Sequence, residues 1–258
     1  ATYNKDEEER KHSSSGGVFS LLARQILLDG GIVFGAVMSE ECKKVQHISI
    51  ANIEDLTYLQ GSKYVQSEIG KTYIEAQEYL QKGKKVLFSG TPCEIAGLKT
   101  FLQRDYENLF CVDVVCHGVP SPKVWEKYID YREQCASSNV KWVFFRNKQW
   151  GWKRYSILIK FSNNTLYTCV RTKDLFMQMF LQNLCLRPSC YECAFKGEKR
   201  NSDITLADFW NCGSICPELD DNKGLSLILI HSEKGNALFD IIKEKTISRT
   251  VELDAVIE

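Results

Sequence analysis

The chain has 258 residues, and its 33 Lys and Arg are balanced by 33 Asp and Glu for a formal net charge of zero. Balanced, dispersed charge argues against a nucleic-acid partner, and no apolar run approaches the roughly 18 residues of a membrane span. A chain this long can bury about 70–75% of its unfolded surface and needs no disulfides for stability.

The cysteine count, 11, is odd and high. No secretory signal accompanies it, because Ala1 to Lys11 is polar and charged. This combination predicts a cytoplasmic protein whose cysteines serve metal or redox work rather than disulfides. The missing initiator Met predicts a fragment or a processed chain.

His12-Ser-Ser-Ser-Gly-Gly17 is the first signal along the chain. The apolar spacing of Val18, Phe19, Leu22, Ile26 and Leu27 predicts a helix after it, stopped by Asp29-Gly-Gly31. A Ser/Gly loop opening a helix can cradle a phosphate, yet this one lacks the Lys of a Walker loop and the spacing of a dinucleotide fingerprint. The plainer reading is a Ser N-cap with flexible glycines. Ile32 to Met38 reads as a strand, with His47 to Ala51 as its partner. Gly61-Ser-Lys-Tyr-Val-Gln-Ser67 reads as a surface loop whose cation, aromatic ring and hydroxyls would suit a flavin or nucleotide edge. Ile74 to Gln81 looks helical.

Val86 to Phe88 then reads as a buried strand, Ser89 to Pro92 as a turn, and Ile95 to Leu102 as a helix. Cys93 therefore sits where a strand ends and a helix begins, a place where ligands collect in α/β sheets and where free amides favour a thiolate. The same plan recurs at Leu109 to Val115, followed by Cys116-His-Gly-Val-Pro-Ser-Pro122 and a helix from Lys123 to Gln134. If the two strands are neighbours, Cys93 and Cys116 lie close together. His117 reads as a hydrogen-bonded loop histidine.

From Val140 onward the pattern changes to alternating strands at Lys141 to Arg146, Tyr155 to Phe161 and Leu166 to Val170, an antiparallel meander. Asp174 to Leu186 reads as an apolar helix. It leads to Cys190-x-x-Cys193, the most specific local signal, because two thiols at that spacing can bind one metal ion or one cluster edge. A strand from Ser202 to Asp208, another from Leu225 to Ile230 and a helix from Glu233 to Lys245 close the chain. The predicted fold class is α/β: a mixed sheet with flanking helices plus an antiparallel β meander. Its parts are 1–139, carrying Cys93 and Cys116, and 140–258, carrying the meander, the C-x-x-C loop and the closing β–α unit, within one integrated domain.

Two cysteine sets compete on spacing. Cys190, Cys193, Cys212 and Cys216 come close to a zinc ribbon, which would make a non-catalytic interaction domain. Cys93, Cys116, Cys190 and Cys193 would instead hold an iron–sulfur cluster from three separate segments. Local spacing favours the first set, and strand-end placement favours the second.

Ser13-Ser-Ser-Gly-Gly17, Gly61-Ser-Lys-Tyr-Val-Gln-Ser67, Gly90-Thr-Pro-Cys93, Cys116-His-Gly-Val119, Cys190-Tyr-Glu-Cys193 and Arg200-x-Ser-Asp-Ile-Thr-Leu-Ala-Asp208 occur in that order. Together they resemble the coenzyme F-420 hydrogenase/dehydrogenase beta-subunit family, which includes the methanogen hydrogenase beta subunit, a formate dehydrogenase subunit and plant 7-hydroxymethyl chlorophyll a reductase. The resemblance covers essentially the whole chain. It implies an oxidoreductase with FAD and a [4Fe–4S] cluster, the latter on Cys93, Cys116, Cys190 and Cys193. It implies flavin contacts from Ser13, Ser14, Ser15, Gly16 and Gly17, from Lys63, Tyr64, Gln66 and Ser67, and from Thr91, Pro92 and Arg200. It names no catalytic acid or base. The partners it implies are a ferredoxin-like domain or redox protein and a small-molecule hydride acceptor, without nucleic acid. Two departures stand out. The ferredoxin-like N-terminal segment of full-length members is missing, and Asn211-Cys212 follows Trp210 where the family pattern has a Gly.

Overall fold

A computed structural model describes residues 1–197 and 199–257. Its strands, in chain order, are β1 (Thr2–Asn4), β2 (Ile32–Met38), β3 (Val45–Ile50), β4 (Ser67–Glu68), β5 (Val86–Gly90), β6 (Leu109–Val114), β7 (Val140–Asn147), β8 (Ser156–Phe161), β9 (Leu166–Val170), β10 (Ile204–Asp208), β11 (Ser226–Ile230) and β12 (Thr246–Ser248). The protein is α/β, as its alternation of apolar runs and helical periods predicts. Nine strands form one mixed sheet in the order β12-β1-β11-β10-β6-β5-β2-β3-β4, and β7, β8 and β9 form a separate antiparallel sheet.

The centre of the large sheet is parallel: β2 pairs with β5, β5 with β6, and β6 with β10. Such strands are covered on both faces and read as continuous apolar runs, which is why Val86-Leu-Phe88 was legible. Successive side chains take opposite faces. Val33, Leu87 and Val112 meet the helices Val18–Leu28 and Glu233–Ile242 on one side. Ile32, Phe34, Val86, Phe88 and Cys111 meet the helices Thr72–Gln81 and Pro92–Leu102 on the other. A third apolar cluster joins the meander to the helices Pro122–Ala136 and Leu175–Leu181 around Trp125, Phe145 and Phe176.

Several expectations are corrected. The helix after Asp174 ends at Leu181 rather than Leu186. Asn183 there turns left-handed at φ 61°, and Leu184 N–H closes on Met179 O at 2.8 Å, a helix stop that Asn tolerates better than most residues. The last long helix ends at Ile242 and tightens into a 3₁₀ turn over Lys243–Lys245. No serine caps the helix Val18–Leu28. Gly17, at φ 81°, holds that position, while Ser13 caps the C-terminus of a preceding helix, Glu7–His12. The polar start, unassigned from sequence, contributes β1 between β11 and β12.

Candidate functional site

The parallel pairing of β5 with β6 sets Ser89 opposite Val112 and Gly90 opposite Asp113, so the chain leaves both strands on the same sheet edge. Beyond β5, Thr91 and Pro92 open the helix Pro92–Leu102. The Glu94 carboxylate accepts the Thr91 N–H at 2.7 Å, closing the first turn and placing Cys93 in it. Thr91 Oγ1 lies 3.1 Å from Cys93 Sγ. Beyond β6, the Cys116–Pro120 loop is stitched to the third segment. Arg187 N–H donates to Val119 O at 2.9 Å, and Pro120 bridges Leu186. On the other side Gln66 N–H donates to Pro120 O. His117 contacts Phe180 O at 3.1 Å, the hydrogen-bonded loop role expected of it.

These stitches enclose a cavity of about 350 Å³. Cys93, Cys116, Cys190 and Cys193 all line it, and so do Gln66, Ser67, Thr91, Pro92 and Arg200. Gly118 allows the approach of two of the segments: its φ is 131°, and a methyl group there would sit 2.8 Å from Leu186 Cδ1 and 3.4 Å from Cys190 Cβ. A more open hollow beside Glu40, Lys43 and Glu133 contains no cysteine.

Burial raises the Cys116 thiol to about 11, with further lift from Cys93, Cys190 and Glu94 against an opposing hydrogen bond from the Gly118 backbone. Cys93 is also raised, by burial first and then by Glu94 and Cys193, while its hydrogen bond to Thr91 lowers it. The thiols thus lie near enough to feel one another. Their protonated forms are favoured until a cation is present to hold thiolates.

The Ser13–Gly17 loop and, in the second segment, Lys63 and Tyr64 lie outside the cavity lining. In the Ser13–Gly17 loop, Ser13 donates to Glu9 O, Ser15 donates to Leu225 O, and Gly16 N–H donates to Ser226 Oγ at 2.9 Å. Lys63 Nζ donates to Tyr58 O and Gln60 O, and burial draws it down to about 7. Tyr64 stacks on Phe180. One contact joins the two segments: Ser62 Oγ donates to Ser14 Oγ at 2.7 Å. The lining also includes Glu94, Arg187 and Lys196, which sequence reasoning passed over. Glu94 was readable as the fourth residue of a Thr-x-x-Glu capping box. Arg187 and Lys196 carried no pattern.

Among the described residues, no three His, Cys, Asp or Glu side chains lie close enough to hold a single metal ion. The zinc-ribbon set is also split in space. Cys212 and Cys216 are fully buried with Trp152, Phe209 and Leu225, whereas Cys190 and Cys193 face the cavity. Four thiols around one cavity fit the donor chemistry of an iron–sulfur cluster, whose ligands attach to separate iron corners and stand further apart than those of one ion. Polar Gln66 and Ser67 beside apolar Pro92, Val115 and Val119 give the mixed lining of a small-molecule site.

No curated protein matches the chain. Among solved structures, it is similar to a chain of the F420-reducing [NiFe] hydrogenase complex from Methanosarcina barkeri, with 16% identity, a TM-score of 0.65, and coverage of 98% of this chain and 81% of that one; the likeness is one of fold. The family model for the C terminus of the coenzyme F420 hydrogenase/dehydrogenase beta subunit matches residues 83–256, more than half of the chain and all four cavity cysteines, and the chain belongs to that family.

Proposed function

We propose that this chain is an oxidoreductase subunit that binds a [4Fe–4S] cluster on Cys93, Cys116, Cys190 and Cys193 with FAD beside it. In this reading it moves electrons between a redox partner protein, or a ferredoxin-like domain, and a small-molecule hydride acceptor such as a deazaflavin coenzyme. The observation that supports it is the meeting of three distant segments, each bringing cysteine, around one cavity. When bound, the cluster exchanges single electrons and the flavin exchanges hydride, so the pair converts one currency into the other.

The chain's own residues supply position and charge. The first turn of the helix Pro92–Leu102 presents Cys93 at the positive end of the helix dipole, which favours its thiolate. The Gly118 N–H does the same for Cys116. Gln66 and Ser67 offer hydrogen-bonding groups on the cavity wall, and Arg200 brings a cation to it. The hydrogen bond between Ser62 and Ser14 ties the 13–17 loop to the 61–67 segment, along which the rest of the dinucleotide is proposed to lie.

Purification without oxygen, followed by iron, sulfide and flavin analysis, tests the reading. Iron and sulfide in equal amounts with bound flavin are expected. A chain that takes up neither iron nor flavin on anaerobic reconstitution refutes it, as does one that carries zinc and loses it in Cys212→Ser.

A further inference from the structure

Behind the cavity wall lies a buried polar chain that the proposed electron path does not use. Asp113, near the end of β6, is 1% exposed. Its Oδ1 accepts a hydrogen bond from Thr205 Oγ1. The same hydroxyl lies 2.9 Å from His231 Nε2, and His231 is solvent-exposed at the end of β11. Among the described residues, Asp113 Oδ2 and Arg200 Nε are buried without hydrogen-bond partners. Arg200 Nη1 stands 3.7 Å from that Oδ2, and Arg200 lines the cysteine cavity.

We propose that His231, Thr205 and Asp113 form a proton relay between solvent and the buried face of Arg200, so that the charge balance at the cavity wall is set by proton uptake on Asp113. A hydroxyl between an imidazole and a carboxylate serves two states equally well. In one, His231 is doubly protonated, its Nε2–H donates to Thr205 Oγ1, and Thr205 donates to ionised Asp113. In the other, both protons have moved one place: Asp113 is neutral and donates to Thr205, Thr205 donates to Nε2, and His231 is neutral with its proton on Nδ1. The proton taken up enters from water at Nδ1, the ring nitrogen turned away from Thr205, when the doubly protonated ring of the first state forms. No heavy atom moves, and one proton enters for each negative charge cancelled.

The surroundings suit the exchange. Burial raises the Asp113 carboxyl, and Thr205, Ser202, Arg200 and His231 oppose that rise. Burial lowers His231 while Asp113 and Asp203 raise it, so the two groups approach each other. Asp203 is itself committed: it accepts from Cys111 N–H and Ser232 Oγ, with Lys234 3.7 Å away. When Asp113 is ionised, it offsets Arg200. When it is neutral, that offset is lost, and the guanidinium charge is available to balance negative charge arriving in the cavity. The relay rests on these hydrogen bonds and stands apart from the identity of any cofactor.

The test follows the Asp113 carboxyl and the His231 ring by isotope-edited NMR across pH in the full chain, the Thr205→Val and Thr205→Ser variants, and Arg200→Gln. In the wild type the two groups should report shared steps, as strongly interacting sites do. Thr205→Val should uncouple them and shift the Asp113 midpoint by about one pH unit; Thr205→Ser should restore the wild-type curve. Arg200→Gln should raise the Asp113 midpoint by about one unit or more. Identical curves for the Val and Ser variants, an Asp113 that stays ionised while His231 titrates, or a midpoint indifferent to Arg200 overturns the proposal.

Discussion

Replacing Gly118 with Ala perturbs the cavity at one atom. The backbone there has φ 131°, a region that an L residue enters at a cost of about 1–3 kcal/mol. The added methyl group would also stand 2.8 Å from Leu186 Cδ1, the free end of a flexible side chain, and 3.4 Å from Cys190 Cβ. Leu186 can swing aside cheaply, so the backbone term dominates, and a total of about 2–3 kcal/mol is expected. Either outcome of the relaxation, a rotated 116–120 loop or a displaced Cys190, also moves a cavity thiol. Urea denaturation of Gly118→Ala should therefore show a lower midpoint with an unchanged slope. Anaerobically reconstituted variant protein should hold less iron than wild type. A stability change below about 0.5 kcal/mol, the range of neutral surface substitutions, together with full iron content, refutes the claim that this glycine lets the two cysteine segments close on each other.

Single Cys→Ser changes at Cys93, Cys116, Cys190 or Cys193 should each reduce bound iron severalfold, while Cys212→Ser and Cys216→Ser should retain it; iron and sulfide assays separate the two groups. Arg10 is 2% exposed. It grips Asp221 at 2.7 and 2.6 Å and Gly224 O at 2.8 Å, and lies over the Tyr3 ring. Since Asp221 is 40% exposed and re-solvates when released, Arg10→Met should cost about 2–3 kcal/mol rather than the full penalty of a stranded charge, measured as a urea midpoint. Asp29 is held below its ordinary value by its hydrogen bond to Lys85 at 2.7 Å. A depressed carboxylate adds stability above its unfolded value, about pH 4, and loses it as pH falls through the folded one. Lys85→Met should thus destabilise by less than about 1 kcal/mol at pH 7, with a difference that fades below about pH 4; a gap constant down to pH 2 contradicts the pairing.

The parallel strands at the sheet centre were legible because a strand buried on both faces leaves an uninterrupted apolar run, and Val86-Leu-Phe88 has few other uses. The turn before Cys93 and the C-x-x-C at Cys190 were legible because each is a local arrangement governed by neighbours within a few residues; the Thr91–Glu94 capping box was as local and was passed over. β1 went unnoticed because three polar-flanked residues carry no periodicity, and its place depends on β11 and β12, more than 220 residues away. The Ser13–Gly17 loop had an ambiguous sequence. Its hydroxyl and amide partners, Leu225 and Ser226, come from β11 and the residue before it, which no local rule could supply.

The sequence by itself determined that Cys93 and Cys116 each follow the end of a strand, because turn chemistry and apolar runs act over a few residues. It left open which cysteines join them, since spacing along a chain does not measure distance across a fold. Tertiary structure decided that question through strand order and loop stitching: β5 beside β6 sets the first two thiols on one edge, and the Val119–Arg187 hydrogen bond brings the third segment over them. The Asp113–Thr205–His231 chain belongs wholly to that second level, because its three residues come from three strands or strand ends and meet only when β6, β10 and β11 lie side by side.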